Sequence, residues 1–553
     1  MRKLRLLFLK LISLNIVCFA NLALADSPFT NLSEIKKALN FDDYYSEKPR
    51  KTLKVAILDK GFYGYEAALG KTIPKRTVYH AGPLPAPQEI KVEHGLAMAQ
   101  IFTAFVSNDW DAKQFIPELH LYNVYGFTNF KSAIDEVIKN KFDIVLYSEV
   151  WELGGNGDGR GFINAEVSRA TKAGVLWVNA AGNFHKRTYR GPIKVADEDW
   201  VRLPDQNKSL SFTCEKNEKN KSGKCQVRVV LTWNDFKNDP QLGTKKDLDL
   251  ALTDDLLNIV QSSALIQSDD KNEERPGYSK YPRESIQVEV KPGTYFIRVK
   301  AKSTNFTSKD QLRITIDGDP IVSKSAKAEE TLLNPADNPG VITVGATDSE
   351  RSSRSPEMGK PEFWAPSSIK TEKKEEYRGS SNSAAIVAAG ISIYKSMNPS
   401  ADKSDLLEAL ATQERQEEEV ERGPSDLSLA DLAFMPTGPR GCFEERPGSS
   451  SLAAHVTRLL RRGGKLVNTN YGYRVMVDFD PIVLAEDLER NMPNDMILAT
   501  PQGFQVANRF ERIPFPAGSI EVFQIPADGI LCSGSFDHHS SSPKKGIFRL
   551  PRL

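Results

Sequence analysis

Apolar positions along this chain fall into distinct regimes. Unbroken, β-branched runs come first: Leu53-Lys54-Val55-Ala56-Ile57-Leu58, Ile144-Val145-Leu146-Tyr147 and Val175-Leu176-Trp177-Val178, with Val341-Ile342-Thr343-Val344 after a long interval. Runs without polar alternation belong to strands buried on both faces, as in a parallel sheet. Helical stretches separate the first three, so residues 51–195 and 330–413 predict one discontinuous α/β domain. Its first strand empties into Asp59-Lys60-Gly61.

Between residues 200 and 325 the period becomes two: Val227/Val229/Leu231/Trp233, Leu248/Leu250/Leu252, Ile286/Val288/Val290, Tyr295/Ile297/Val299 and Leu312/Ile314/Ile316. Short alternating strands punctuated by turns such as Pro292-Gly293 predict an antiparallel β-sandwich, inserted into the α/β domain. Residues 414–450 open on the acidic run QERQEEEVERGPSD and end in Gly/Pro/Ser-rich text, a linker pattern. Residues 451–553 form a small further domain, with RVMVDFD and SIEVFQIP as strands. Its role is not legible.

Composition changes the picture in two places. Lysine and arginine total 73 against 72 acidic residues in 553, a net charge of +1, which argues against nucleic acid as a partner. Residues 1–25 combine a basic start, an apolar run and Ala23-Leu24-Ala25, the pattern of a signal peptide. Lys10 and Asn15 interrupt a stretch already short for a bilayer, so an uncleaved anchor is the lesser reading and no transmembrane segment is expected after its removal. Export leaves Cys214, Cys225, Cys442 and Cys532 in an oxidising compartment. Pairing 214 with 225 across a hairpin tip and 442 with 532 is the simplest connectivity. Zinc is the rival, without C-x-x-C spacing to support it.

The candidate chemistry begins at EYRGSSNSAAIVAAG, residues 376–390. Ser381 stands where Gly379-Ser380 gives way to small apolar residues, at the start of a buried helix. A serine hydroxyl needs a positioned base. Of seven histidines, His94 opens the apolar stretch HGLAMAQI. Asp59, at the carboxyl end of the first strand, is placed to orient that imidazole. Asn183, in VNAAGNF, is either a turn residue or a side-chain donor to an oxyanion, with the Ser381 N–H as the second.

Taken together these four stretches resemble the subtilisin-like serine peptidases, the subtilase family. VAILDKGF resembles its Asp motif, HGLAMAQI its His-Gly-Thr helix, VNAAGNF its oxyanion turn and GSSNSAA its Gly-Thr-Ser-Met-Ala-x-Pro motif, in the family's order. NPADNPGVITVGA and PEFWAPS are supporting matches. The resemblance implies a Ser381/His94/Asp59 triad with Asn183 in the oxyanion hole, an acyl-enzyme mechanism, protein or peptide substrates and no required cofactor. It also implies that Leu153, Gly154 and Gly155 edge the substrate cleft, against the reading of a plain Gly-rich loop. Leu96, Ser380, Asn382 and Ala385 depart from the motifs without removing a reacting atom. A catalytically degenerate binding protein is therefore the alternative. An α/β-hydrolase esterase is a third class, disfavoured because Ser381 lacks a Gly-x-Ser-x-Gly elbow and follows the histidine.

The inserted block resembles, more loosely, accessory β-sandwich domains of subtilases through VRVVLTWND, DLDLALTD and PGTYFIRVKA. Asp247 and Asp249 are candidates for structural calcium there, against a solvated strand edge.

Overall fold

The computed structural model describes residues 28–45, 47–84, 91–107, 115–204, 208–215, 223–269, 276–319, 321–323, 330–371, 376–407 and 409, and beyond these only short strands between residues 465 and 533. The chain divides into two compact units, Met1–Leu406 with Ile547–Leu553, and Leu407–Gly546.

The first unit opens with α1 (Leu32–Ala38), β1 (Lys54–Asp59), α2 (Tyr65–Ala68), β2 (Val78–His80), α3 (His94–Val106), β3 (Glu118–Asn123), α4 (Phe127–Lys139), β4 (Ile144–Tyr147), α5 (Phe162–Lys172) and β5 (Leu176–Ala180). The inserted strands are β6 (Thr188–Pro192), β7 (Leu210–Cys214), β8 (Cys225–Trp233), β9 (Leu248–Thr253), β10 (Ile259–Ser263), the short pair β11 (Ile266–Gln267) and β12 (Tyr278–Ser279), β13 (Arg283–Val290), β14 (Gly293–Ala301), β15 (Gln311–Asp319) and β16 (Ile321–Ser323). The chain then returns through β17 (Ile342–Ala346), β18 (Phe363–Ala365) and α6 (Ser380–Met397).

The main sheet has the order β18-β17-β5-β4-β1-β3-β2, and every pairing in it is parallel. β17 pairs with β5, Ile342 opposite Val178, so the sheet closes across the insertion as though the insertion were absent. β1, β4 and β5 are nearly wholly buried, as unbroken apolar runs require. β3 eluded the pattern because Glu118 and His120 alternate with its apolar residues. α6 packs on α3, β5 and β17. Its run Ala384–Ile391 is buried throughout, which small residues allow by letting the helix approach closely.

The insertion is a sandwich of two antiparallel sheets, β10-β9-β14-β7-β16 and β13-β8-β15-β6. Alternating residues such as Val227, Val229, Leu231, Leu250 and Ile297 meet between them. One boundary and one local expectation change. The sandwich begins at Thr188 rather than near residue 200, because β6 pairs with β15. Cys214 and Cys225 are bonded, but they do not flank a hairpin: β7 and β8 lie in different sheets, so the bridge staples the sandwich across its core. Cys442 lies outside the described residues, and of Cys532 only its strand backbone is described, so that pairing is not addressed.

Closing a short loop removes about 3 kcal/mol of freedom from the unfolded chain. The double variant Cys214→Ser/Cys225→Ser is expected to lower unfolding stability of the first unit by about that amount. An unchanged denaturant midpoint would show that the sandwich core alone holds the two sheets.

Among the described residues, the second unit contains a six-stranded sheet. Its strands run Lys465–Thr469, Gly472–Met476, Ile530–Ser533, Val522–Ile525, Leu498–Thr500 and Gly503–Gln505 in spatial order. The stretches RVMVDFD and SIEVFQIP contribute two of them.

Candidate active site

β1 delivers Asp59 as its last residue, fully buried. α3 begins at His94, whose Nδ1 lies 2.7 Å from Asp59 Oδ2. That approach depends on Gly95. A Cβ there would stand 2.6 Å from the Asp59 Cβ and 2.7 Å from the Gly61 carbonyl oxygen. The Gly95 N–H instead donates to that carbonyl at 3.0 Å, joining the helix start to the loop after β1. With Nδ1–H held by the carboxylate, Nε2 is the acceptor. Burial pulls the ring's pKa down, but the charge and hydrogen bond of Asp59 outweigh it, helped by Glu149 and opposed by Lys60; the net shift is upward.

The crowd of polar residues at the start of α6 separates by burial. Ser380 is fully buried, and its Oγ accepts the Gly182 N–H at 3.0 Å. Ser383 donates to the Ala365 carbonyl, and the Asn382 amide donates to the carbonyls of Ser367 and Tyr377. These three side chains hold the helix start in place. Ser381 is half-buried, and its Oγ donates to the Ser148 carbonyl at 2.9 Å. Ser148 follows the last residue of β4, the strand paired with β1. Ser381 therefore sits at the same carboxyl edge of the sheet as Asp59. Its hydroxyl proton is directed at a backbone oxygen.

Asn183 lies in the turn after β5. Its Oδ1 accepts the Ser380 N–H at 3.1 Å, which orients the amide with Nδ2 on the other side. Gly379 has φ +153°, and a Cβ there would come within 3.1 Å of that Nδ2. The glycine before the serines thus leaves room for the amide. As the second residue of α6, Ser381 also carries one of the helix's unsatisfied first-turn N–H groups.

Two charged residues complete the cluster without having been singled out in the sequence. Glu149 follows Ser148, Lys60 follows Asp59, and their side chains pair at 2.7 Å. Carboxylate and imidazole atoms of Asp59, His94 and Glu149 lie within 4.8 Å of one another. Burial, reinforced by Asp59, pushes the Glu149 carboxyl up to about 7 against the pull of Lys60 and His94. Because the Lys60 ammonium already answers this negative charge, the cluster is a charge network. The only signal for it was position, since both residues adjoin the carboxyl ends of parallel strands.

Leu153, Gly154 and Gly155 are placed differently from the expectation of an open cleft edge. The Leu153 carbonyl accepts the Asn334 amide at 2.8 Å, and the Gly154 carbonyl accepts the Ile163 N–H at 3.2 Å. A Cβ on Gly154 would meet Ile163 at 2.5 Å, and one on Gly155 would meet the Asn334 side chain at 2.4 Å. These glycines serve close packing against α5 and Asn334. The segment that touches Ser381 is Ser148, five residues earlier. In the sandwich, Asp249 faces Lys302 at 3.6 Å, and burial together with Asp249 raises Asp247 to about 6.

Residues 305–427, the segment that carries α6, match the model of the subtilase family. Over that segment the chain is similar to the subtilase family. No curated protein matches the chain. Among solved structures it is similar to the CspB protease of Clostridium perfringens, at 14% identity over 69% of this chain and 92% of that one, with a TM-score of 0.39. It is also similar to the nisin leader peptidase NisP of Lactococcus lactis, at 13% identity over 68% and 87%, TM-score 0.32. A third similarity, to the pre-peptidase C-terminal domain of a collagenase from Bacillus anthracis, has 10% identity over 25% and 90%, TM-score 0.14. Among the described residues no helix is long and apolar enough to cross a membrane.

Proposed function

We propose that this chain is an exported serine endopeptidase that cleaves peptide bonds through a Ser381/His94/Asp59 triad and an acyl-enzyme. The observation that carries the reading is the buried Asp59 bonded to His94 Nδ1 at the sheet edge where Ser381 stands in the first turn of its helix. Substrate entry turns the Ser381 hydroxyl from the Ser148 carbonyl toward His94 Nε2. The imidazole takes the proton as the oxygen attacks the scissile carbonyl, and Asp59 stabilises the imidazolium. The proton then passes to the leaving amine, and water repeats the sequence on the ester. The Asn183 amide and the Ser381 N–H receive the oxyanion. Export is supported by the signal-like first 25 residues, which lie outside the described residues, and by the Cys214–Cys225 bridge.

The test is labelling of the purified mature protein by a fluorophosphonate, together with casein hydrolysis and determination of its N-terminus. Covalent labelling with hydrolysis is the expected result, and absence of both would overturn the reading. A second reading, a degenerate binding protein, is favoured by one observation, the Ser381 hydrogen bond to Ser148 in place of His94. It predicts no labelling.

Asn183→Ala is expected to lower kcat by roughly 10²–10³-fold, a magnitude taken from a member of the subtilase family itself, with KM changed little. A loss below tenfold would remove Asn183 from the oxyanion hole.

A further inference from the structure

The Asp59–His94 pair accounts for one carboxylate beside the imidazole, yet a second one, Glu149, is held there. Its side chain is only 11% exposed, and a buried carboxylate is costly without a partner. Lys60, half-exposed at the rim, supplies that partner at 2.7 Å. The pair bridges the ends of adjacent strands: Lys60 succeeds the triad aspartate on β1, and Glu149 succeeds the residue after β4 whose carbonyl accepts the Ser381 proton. Glu149 lies outside the motifs by which the site was recognised, and Lys60 falls within VAILDKGF without a role assigned to it there.

We propose that Glu149, locked by Lys60, is a positioning residue for His94: a second carboxylate that shares with Asp59 the stabilisation of the protonated imidazole. This rests on the reading of His94 as the general base. The charged and titratable groups around Glu149 are Asp59 and Lys60 at the end of β1, His94 at the start of α3 and Tyr147 at the end of β4; Glu152 stands further along its own loop and also feels Lys60. Burial pushes the Glu149 carboxyl up to about 7 and the net shift of the imidazole beside it is upward, so the two groups are coupled and the acid limb of activity belongs to the pair as a unit. The sign is definite. The base works when neutral, and every negative charge beside it moves the limb to higher pH.

The experiment compares pH profiles of kcat/KM for the full chain with those of Glu149→Gln and Glu149→Gln/Lys60→Gln. In Glu149→Gln the acid limb is expected to move to lower pH by roughly 0.5–1 unit, since a negative neighbour is lost and Lys60 is left unopposed. Removing Lys60 as well should bring the limb back up relative to the single variant. A structural role alone would lower kcat in both variants and leave the limb in place, and that result would overturn the proposal. A readout independent of turnover is the NMR titration of the His94 imidazole in the Ser381→Ala chain, with and without Glu149→Gln. A downward shift there, with an unsubstituted chain that neither hydrolyses nor labels, would sink the peptidase reading and leave the charge pair standing. An unmoved His94 titration in an active enzyme would do the reverse.

Discussion

Ser381→Ala is expected to reduce hydrolysis to background and to abolish fluorophosphonate labelling while leaving the fold intact. The fold should survive because the Ser381 side chain contributes one hydrogen bond, to the Ser148 carbonyl, at a half-buried position. The α6 start is secured instead by Ser380, Asn382 and Ser383. The same arrangement supplies a control. Ser380→Ala removes a fully buried hydroxyl that accepts the Gly182 N–H, and it should cost stability and disturb Asn183 while preserving covalent labelling. Thermal unfolding and labelling of the two variants read these effects separately. Full labelling of Ser381→Ala would refute the assignment of the nucleophile.

Asp59→Asn has the next largest expected effect, roughly a 10⁴-fold loss of kcat, with the main-chain geometry retained. The carboxylate is fully buried and accepts the His94 Nδ1–H at 2.7 Å. An asparagine amide in its place can turn its NH₂ toward the ring, which drives the proton from Nδ1 to Nε2. The nitrogen meant to take the serine proton would then already carry one. The imidazolium formed during attack would also lose its principal counter-charge, leaving Glu149 as the remaining carboxylate. Pre-steady-state acylation rates check this expectation, and a loss below a hundredfold would show that Asp59 does not govern the tautomer.

The chain's own order carried much of this outcome. β1, β4, β5 and β17 were legible because a strand buried on both faces must be apolar at every position, and the sandwich strands were legible because one face of each is wet. The candidate site was legible as short motifs, since Gly95 and Gly379 sit beside the reacting groups for steric reasons that admit no side chain. Position along the chain also separated the insertion from the sheet it interrupts.

Other features depended on residues distant in sequence meeting in space. Which serine of Gly379-Ser380-Ser381 is buried was decided by Gly182 and Asn183 on another strand's turn. The cysteine bridge proved to cross between sheets because β7 and β8 part company after their connection. Leu153–Gly155 had the composition of a cleft edge, but Asn334 and Ile163 claim the carbonyls of Leu153 and Gly154. Lys60 and Glu149 met only because β1 and β4 are neighbours. Periodicity and motifs record what each residue needs from its own segment, so the sequence determined the elements and the candidate reacting groups. Charge pairing and burial depend on which segments become neighbours, and that only the tertiary structure decided.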